Sequence, residues 1–472
     1  MTDHVEVRRR TYHDSVRLMQ VSAAVQAVAG VETALVAMGT DLNLGLLADL
    51  GFVPSDAGPD DMLVAIRAAD DEALQAGLAA LEAALVARAG DGATLDAPAP
   101  RTVAGAARLA DASLALVSVP GPHAFVEAAE ALDAGLHVMI FSDNVPVAHE
   151  QILKRRGGER GLLVMGPDCG TAIVSGVGLG FANSVMPGPV GIVGASGTGI
   201  QQVCCLLDAA GVGVRHALGT GSRDLSAAVG GAATLQGLDA LDRDPAVEVI
   251  VVVSKPPDHE VAERVRAAAA ACDTPAVMAF IGEGTLHDAV SRVLDVLGVP
   301  ADEPASWTAP APGRRSGTLR GLFSGGTHRG EAAALAAQAL GEVAGRFTAD
   351  GHVMVDLGDD EYTRGRPHPM IDQRLLVHHL EEAGNDPSVG VILLDVVLGY
   401  GAHPDPADAL APAIAGAVAA GAAVVVSLCG TATDPQGRDA QVAALHDAGA
   451  SVFLSNAAAA RHAVSLAKGG AG

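Results

Sequence analysis

The run Val190–Val193 reads as a buried strand and leads into Gly194-Ala195-Ser196-Gly197-Thr198-Gly199, after which an apolar helical stretch begins. Glycines at that place let backbone N–H groups turn toward one point. The start of the helix adds partial positive charge, and the hydroxyls of Ser196 and Thr198 add donors, so the segment reads as an anion cradle that needs no lysine. Ser324-Gly325-Gly326-Thr327-His328 follows another strand and opens another helix with the same equipment. Two such loops can share one phosphate or acyl phosphate, with Gly194, Ser196, Gly197, Thr198, Gly199, Gly325, Gly326 and Thr327 as its contacts. His328 is either one further contact or a solvated helix cap.

Three other segments carry reactive side chains. In Gly399-Tyr400-Gly401-Ala402-His403-Pro404-Asp405, placed after the apolar run Val389–Val397, Gly399 and Gly401 extend the phosphate-binding set. His403 and Asp405 offer a proton donor and acceptor there; the plain alternative is a rigid loop with an exposed histidine. Asp168 and Cys169 sit in a glycine turn where a thiol can be nucleophilic, although a buried structural cysteine is the favoured role. Asp356, Asp359, Asp360 and Glu361 suggest magnesium by composition, but such a run reads as a solvated turn. His378-His379 has no third ligand at metal spacing and reads as surface, so no metal is expected.

The elements that position these residues alternate strand and helix throughout. Residues 5 to 90 give three short strands and three helices, and the loop Gly90–Pro100 places a first domain boundary near 95. A βαβ pattern starts at Leu114, a new unit starts at Val190, and the proline-rich stretch 299 to 316, with Arg314 and Arg315, separates a last α/β region. Hydrophobic residues make up 49% of the 472 and aromatics 3%, so the core is built from Ala, Val, Leu and Ile, which suits helices on parallel sheets. A formal charge of −25 repels nucleic acid and anionic lipid, and lysine occurs only at 154, 255 and 468, none inside a G-x-x-x-x-G-K-[ST] loop. Five cysteines without C-x-x-C spacing fit a reducing cytoplasm better than a disulfide framework. The uncharged segment Ala409–Thr433 is broken by Pro412, Gly416 and Gly421 and reads as helix, turn and buried strand, not a membrane span.

Met165-Gly166-Pro167-Asp168-Cys169-Gly170, Gly191 through Gly199, Leu218-Gly219-Thr220-Gly221 and Asp395 through Asp405 together resemble the FdrA family, relatives of the NDP-forming acyl-CoA synthetases that include succinyl-CoA ligase. The resemblance implies an α/β chain of doubly wound parallel sheets in four domains. These are an N-terminal ferredoxin-like α/β domain at 1–95, a truncated CoA-binding-like Rossmann domain at 96–186, a ligase α-like flavodoxin-type domain at 187–300, and a ligase β carboxy-terminal-like flavodoxin-type domain at 317–472. It further implies a subunit of an oxamate carbamoyltransferase, which interconverts oxalurate plus phosphate with oxamate plus carbamoyl phosphate, in an oligomer with partner protein subunits. Phosphate or carbamoyl phosphate is then substrate, and no cofactor is tightly bound. The first βαβ unit of the CoA domain, with its glycine fingerprint, is missing, which counts against CoA. The catalytic Gly-His-Ala-Gly segment of the ligases and an ATP-grasp domain are missing as well. An acyl-CoA synthetase working with a separate nucleotide-binding subunit is the alternative, and a noncatalytic scaffold or regulatory subunit is a further one.

Overall fold

A computed structural model describes residues 1–469 apart from 12, 14, 54–55, 59, 87–99, 101, 311–315, 348–349 and 364–366, so the boundary expected near 95 and Arg314-Arg315 lie outside the described residues. The chain forms two units, Met1–Pro100 with Glu361–Pro367, and Arg101–Asp360 with His368–Gly472.

In the first unit the strands Thr2–Arg8, Met62–Ala68 and Val31–Met38 lie side by side in that order, both pairings antiparallel. Side chains alternate across the central strand. Val64 and Ile66 pack under Leu18, Val21, Leu74 and Leu81 from the two longer helices, Ser15–Gln26 and Asp71–Val86, while Ala65 joins Leu35, Leu47 and Phe52 on the other face. The three described strands follow the one–three–two part of a ferredoxin-like strand order.

The second unit holds three sheets. A small parallel one joins Leu114–Val117, His137–Ile140 and Val164–Met165. The next has the order Ala276–Phe280, Val249–Ser254, Val190–Ala195, Val214–Gly219, all parallel, with the hairpin Thr171–Val174 and Val177–Gly180 added antiparallel at the edge. The hairpin precedes residue 186 in sequence, yet it is hydrogen-bonded into the sheet that follows. The third sheet runs Ser306–Trp307, Ser451–Phe453, Ala423–Cys429, Val389–Val397, Thr318–Phe323, His352–Asp356, Val343–Ala344, parallel except for its first strand. Val190–Ala195 and Val389–Val397 are buried along their whole length, as strands covered by helices on both faces must be. The segment from 409 to 433 folds as the helix Pro406–Ala419 and the strand Ala423–Cys429. Among the described residues no helix is long and apolar enough to cross a membrane.

Topology fixes where a site can form. In both large sheets the chain first adds a strand on one side of its starting strand and then crosses to the other side, so the order reverses beside Val190–Ala195 and beside Thr318–Phe323. A crevice opens at such a reversal, outside the carboxyl ends of the strands. The loops beginning at Ser196 and Ser324 lie at these two places.

Candidate functional site

Ser196 caps the helix Gly197–Ala209, its Oγ accepting the Gly199 N–H at 3.0 Å. The same hydroxyl hydrogen-bonds Thr327 Oγ1 in the first turn of the helix Gly326–Leu340. Thr198 lies against Gly325 so closely that a Cβ there would stand 2.4 Å from Thr198 Cγ2. Two helix starts, each carrying roughly half a positive charge, therefore touch. Lys255, the first residue beyond Val249–Ser254, brings a full charge to the same place. A Cβ on Gly326 would stand 2.5 Å from Lys255 Nζ and 2.4 Å from Asp356 Oδ2. Asp356 is partly buried, not part of a solvated turn. Burial pushes its carboxyl up to about 6 although the Lys255 charge pulls it down.

Behind the Ser324 loop stands Asp395, fully buried in the middle of Val389–Val397. Its Oδ1 accepts the Ser324 N–H at 2.6 Å and its Oδ2 meets His328 Nδ1 at 2.9 Å. His328 is 0% exposed, which excludes the solvated cap. Burial works against a charge on its ring, but the Asp395 carboxylate and the Cys429 thiol beside it prevail and raise it to about 10. The neighbouring His368 goes the other way. Burial lowers it to about 4, and its Nδ1 accepts the Met370 N–H at 3.2 Å, so it is a neutral imidazole. A Cβ on Gly358 would lie 2.7 Å from its Nε2.

The helix Gly197–Ala209 is buried on nearly every side because it lies between the two large sheets, and even Gln202 is enclosed, donating to Leu454 O at 3.0 Å. Other bonds join the same two halves. Glu331 accepts the Leu286 N–H at 2.7 Å, and Asp434 accepts from Asn183 Nδ2 and the Ser184 N–H at 2.8 and 2.7 Å. The geometry of the paired loops is thereby held from both sides.

Of the residues singled out in the sequence, Ser196, Thr198, Gly199, Gly325, Gly326 and Thr327 come together, whereas Gly194 packs against Val253 and Ile200 and Gly197 faces Thr171. Asp356 and His328 lie beside them, and the remaining residues are held by other contacts. Gly399 has φ +115° and packs on Ala182, its N–H held by Gln436 Oε1 at 3.0 Å, and the Tyr400 N–H goes to Ala182 O. Gly401, at φ +78°, lies against Phe181. These glycines dock the loop, and the two N–H groups at 399 and 400 are engaged without an anion. His403 Nδ1 accepts the Asp405 N–H at 3.1 Å, and Asp405 caps the helix Pro406–Ala419, so both act within the loop. Asp168 is exposed in a left-handed conformation of φ 57°, and Cys169 is buried, its thiol pushed up to about 12 first by burial and then by Asp168. That thiol is protonated at neutral pH and a poor nucleophile. His378 and His379 do meet a third ligating group: Glu382 lies 3.3 Å from His378 Nε2 and 2.8 Å from His379 Nδ1, one helical turn on. Lys255, Asp395 and His368 were not singled out. A carboxylate inside Leu393-Leu394-Asp395-Val396-Val397 and one of three lysines placed directly after an apolar strand were the available signals.

Residues 1–99 match the heavy metal-associated domain of AllF, residues 186–282 the CoA binding domain, and residues 322–466 the CoA-ligase family. The first of these stretches contains no cysteine and only His4 and His13 as histidines, so it offers none of the thiolate ligands that favour a soft heavy-metal ion. The uncharacterized protein YahF of Escherichia coli strain K12 is 35% identical over 95% of this chain and 95% of its own length. The succinate–CoA ligase [ADP-forming] subunit alpha 2 of Archaeoglobus fulgidus is 34% identical over 27% of this chain and 46% of its own length. Among solved structures, a dinucleotide-forming acetyl-coenzyme A synthetase 1 from Ca. Korarchaeum cryptofilum, in complex with phosphate and ADP, aligns over 78% of this chain and 86% of its own at 16% identity and a TM-score of 0.30. The matches to the CoA binding domain and the CoA-ligase family and the sequence match to the succinate–CoA ligase subunit bear on the acid–CoA ligase alternative and lend nothing to carbamoyl transfer. The chain belongs to the YahF-like, FdrA-type family, and it joins a stretch matching the AllF N-terminal domain to stretches matching the CoA-binding and CoA-ligase domains of the acyl-CoA synthetase superfamily.

Proposed function

We propose that this chain is an acyl-CoA ligase-type enzyme subunit that holds an acyl phosphate at the joined loops and passes the acyl group to the thiol of CoA, releasing phosphate. The observation that carries the reading is the direct meeting of Ser196 and Thr198 with Gly325 and Thr327, one loop from the stretch that matches the CoA binding domain and one from the stretch that matches the CoA-ligase family, with Lys255 at Gly326. In the transfer the CoA sulfur bonds to the acyl carbon, the carbonyl-carbon to phosphate-oxygen bond breaks, and the electron pair leaves on phosphate. Negative charge grows on that leaving oxygen. Preorganised helix starts and the Lys255 ammonium stabilise such charge better than water does because they need no reorientation. Asp356, raised to about 6, titrates close enough to neutrality to exchange a proton with the arriving thiol or the departing phosphate. The nucleotide step is assigned to a separate subunit.

The test is thioester formation from acetyl phosphate or succinyl phosphate and CoA by the purified chain, alongside phosphate titration by calorimetry. Lys255→Met should weaken phosphate binding by about 10- to 100-fold, the equivalent of one charge-assisted hydrogen bond. Unchanged affinity in that variant removes Lys255 from the site. Carbamoyl phosphate produced from oxalurate and phosphate, without any CoA binding, would replace this reading by carbamoyl transfer.

A further inference from the structure

Cys205, two turns into the helix Gly197–Ala209, and Cys429, the last residue of the strand Ala423–Cys429, come from the stretches that match the CoA binding domain and the CoA-ligase family and meet with their sulfurs 3.7 Å apart, sharing a hydrogen bond. They are buried among Phe181, Met370 and Val397. An apolar pocket ordinarily keeps thiols protonated and inert, and Cys204 and Cys205 obey that rule, both pushed up by burial. Cys429 does not. Burial pushes its thiol up, but the Cys205 thiol and the His328 ring more than offset this and lower it to about 7. The partner that makes the difference is itself fixed: His328 is held by Asp395 at 2.9 Å, and its Nε2 makes no hydrogen bond of ordinary geometry. One thiol is thus set against an imidazolium and the other stands within reach of it, the arrangement of an attacking and a resolving cysteine.

We propose that Cys205 and Cys429 form a redox-active dithiol, a modification site at which a hydroperoxide converts two buried thiols into a disulfide that bridges the CoA-binding-like and CoA-ligase-like regions. In the first step the Cys429 thiolate attacks the peroxide, the S–O bond forms as the O–O bond breaks, and the leaving oxygen departs as an alcohol or water once protonated. In the second, the Cys205 sulfur attacks the Cys429 sulfenic acid, the S–S bond forms, the S–O bond breaks, and water leaves with the Cys205 proton. Two thiols lose two electrons in total and the peroxide gains them. A thiol-based reductant reverses the change. The bridge ties the helix that starts at Ser196 to the sheet of the facing domain. It is independent of which acyl group the cradle carries.

The experiment is peptide mapping by mass spectrometry, without reduction, of the full chain exposed to hydrogen peroxide and then denatured and alkylated. A linked pair containing Cys205 and Cys429, lighter by two hydrogens and restored by dithiothreitol, is expected. Cys272, partly exposed and pushed up by burial and by Asp242, is an internal standard that should react about tenfold more slowly or less than Cys429. In Cys205→Ser, dimedone should label Cys429 as the sulfenic acid. Preferential oxidation of Cys272 with Cys205 and Cys429 still alkylatable would overturn the proposal. So would a bridge that forms only in denaturant. The wild-type map decides even where a variant fails to fold.

Discussion

Asp395 occupies a position where a strand buried on both faces has no use for charge, and it is retained with both oxygens engaged, one by the Ser324 N–H and one by His328. Removing one partner of such a buried pair costs about 3 to 5 kcal/mol because the other is left uncompensated. His328 has a folded pKa raised from 6.5 to about 10. Its contribution to stability is therefore full below the unfolded value and lost as pH rises through the folded one. Thermal melts should show the wild type losing stability between about pH 6.5 and 10, and His328→Gln should flatten that decline while lowering the whole curve. A wild-type profile as flat as the variant's would remove the charged pair from the account. Single residues were legible in the sequence only where their neighbours explained them. The hydroxyls in the glycine loops were, because loop, strand and helix start lie within ten positions. The His328–Asp395–Cys429 group was not, since its members are 67 and 34 positions from each other in a chain read locally.

At the level of elements, the pair of helix starts depends on the absence of side chains. Gly325→Ala should drive the Gly326 helix away from Thr198, because a Cβ there would meet Thr198 at 2.4 Å. The expected cost is about 1 to 3 kcal/mol of overpacking, with phosphate affinity reduced in the same calorimetric titration. Gly416 is the contrast. It lies within the helix Pro406–Ala419, and a Cβ added there would meet nothing within 4 Å. Gly416→Ala should raise stability by about 0.5 to 1 kcal/mol, and a loss in denaturant melts would contradict the packing described for that helix. The strands and most helices were legible, since their apolar runs and glycine punctuation lie within single windows. Which sheet the hairpin Thr171–Gly180 joins was not. Antiparallel addition at a sheet edge is settled by partners such as Ala217 opposite Ile173, and those lie beyond any local pattern.

For the larger unit as a whole, the joint between the small sheet and the sheet that follows it is polar and buried. Lys154, on the helix Val147–Glu159 beside the small sheet, reaches Glu150 at 2.7 Å, Asp224 at 2.8 Å and Thr220 O at 2.9 Å, while Arg223 meets Glu150 at 3.0 Å. Lys154→Met would leave the carboxylates of Glu150 and Asp224 in a dry site with Arg223 alone to balance them. A loss of about 3 to 5 kcal/mol is expected, read as faster hydrogen exchange in 114–165 and in 220–234 together. Exchange that accelerates in one segment only would mean the two do not unfold as a unit. The three lysines stood out by their rarity, but composition alone assigns no partner.

The strand Ser306–Trp307 lies in the stretch between the sheet of Val190–Ala195 and the sheet of Thr318–Phe323 and pairs antiparallel with Ser451–Phe453. The connection is consequently anchored on the sheet it leads to, and this shortens the free tether. A short tether sets a high effective concentration, on the order of millimolar, for the loop at Ser196 about the loop at Ser324. Dilution does not separate loops carried on one polypeptide, whereas the same contact between two chains would dissolve below its dissociation constant. Fusion in this form keeps the two loops together at any concentration of the protein.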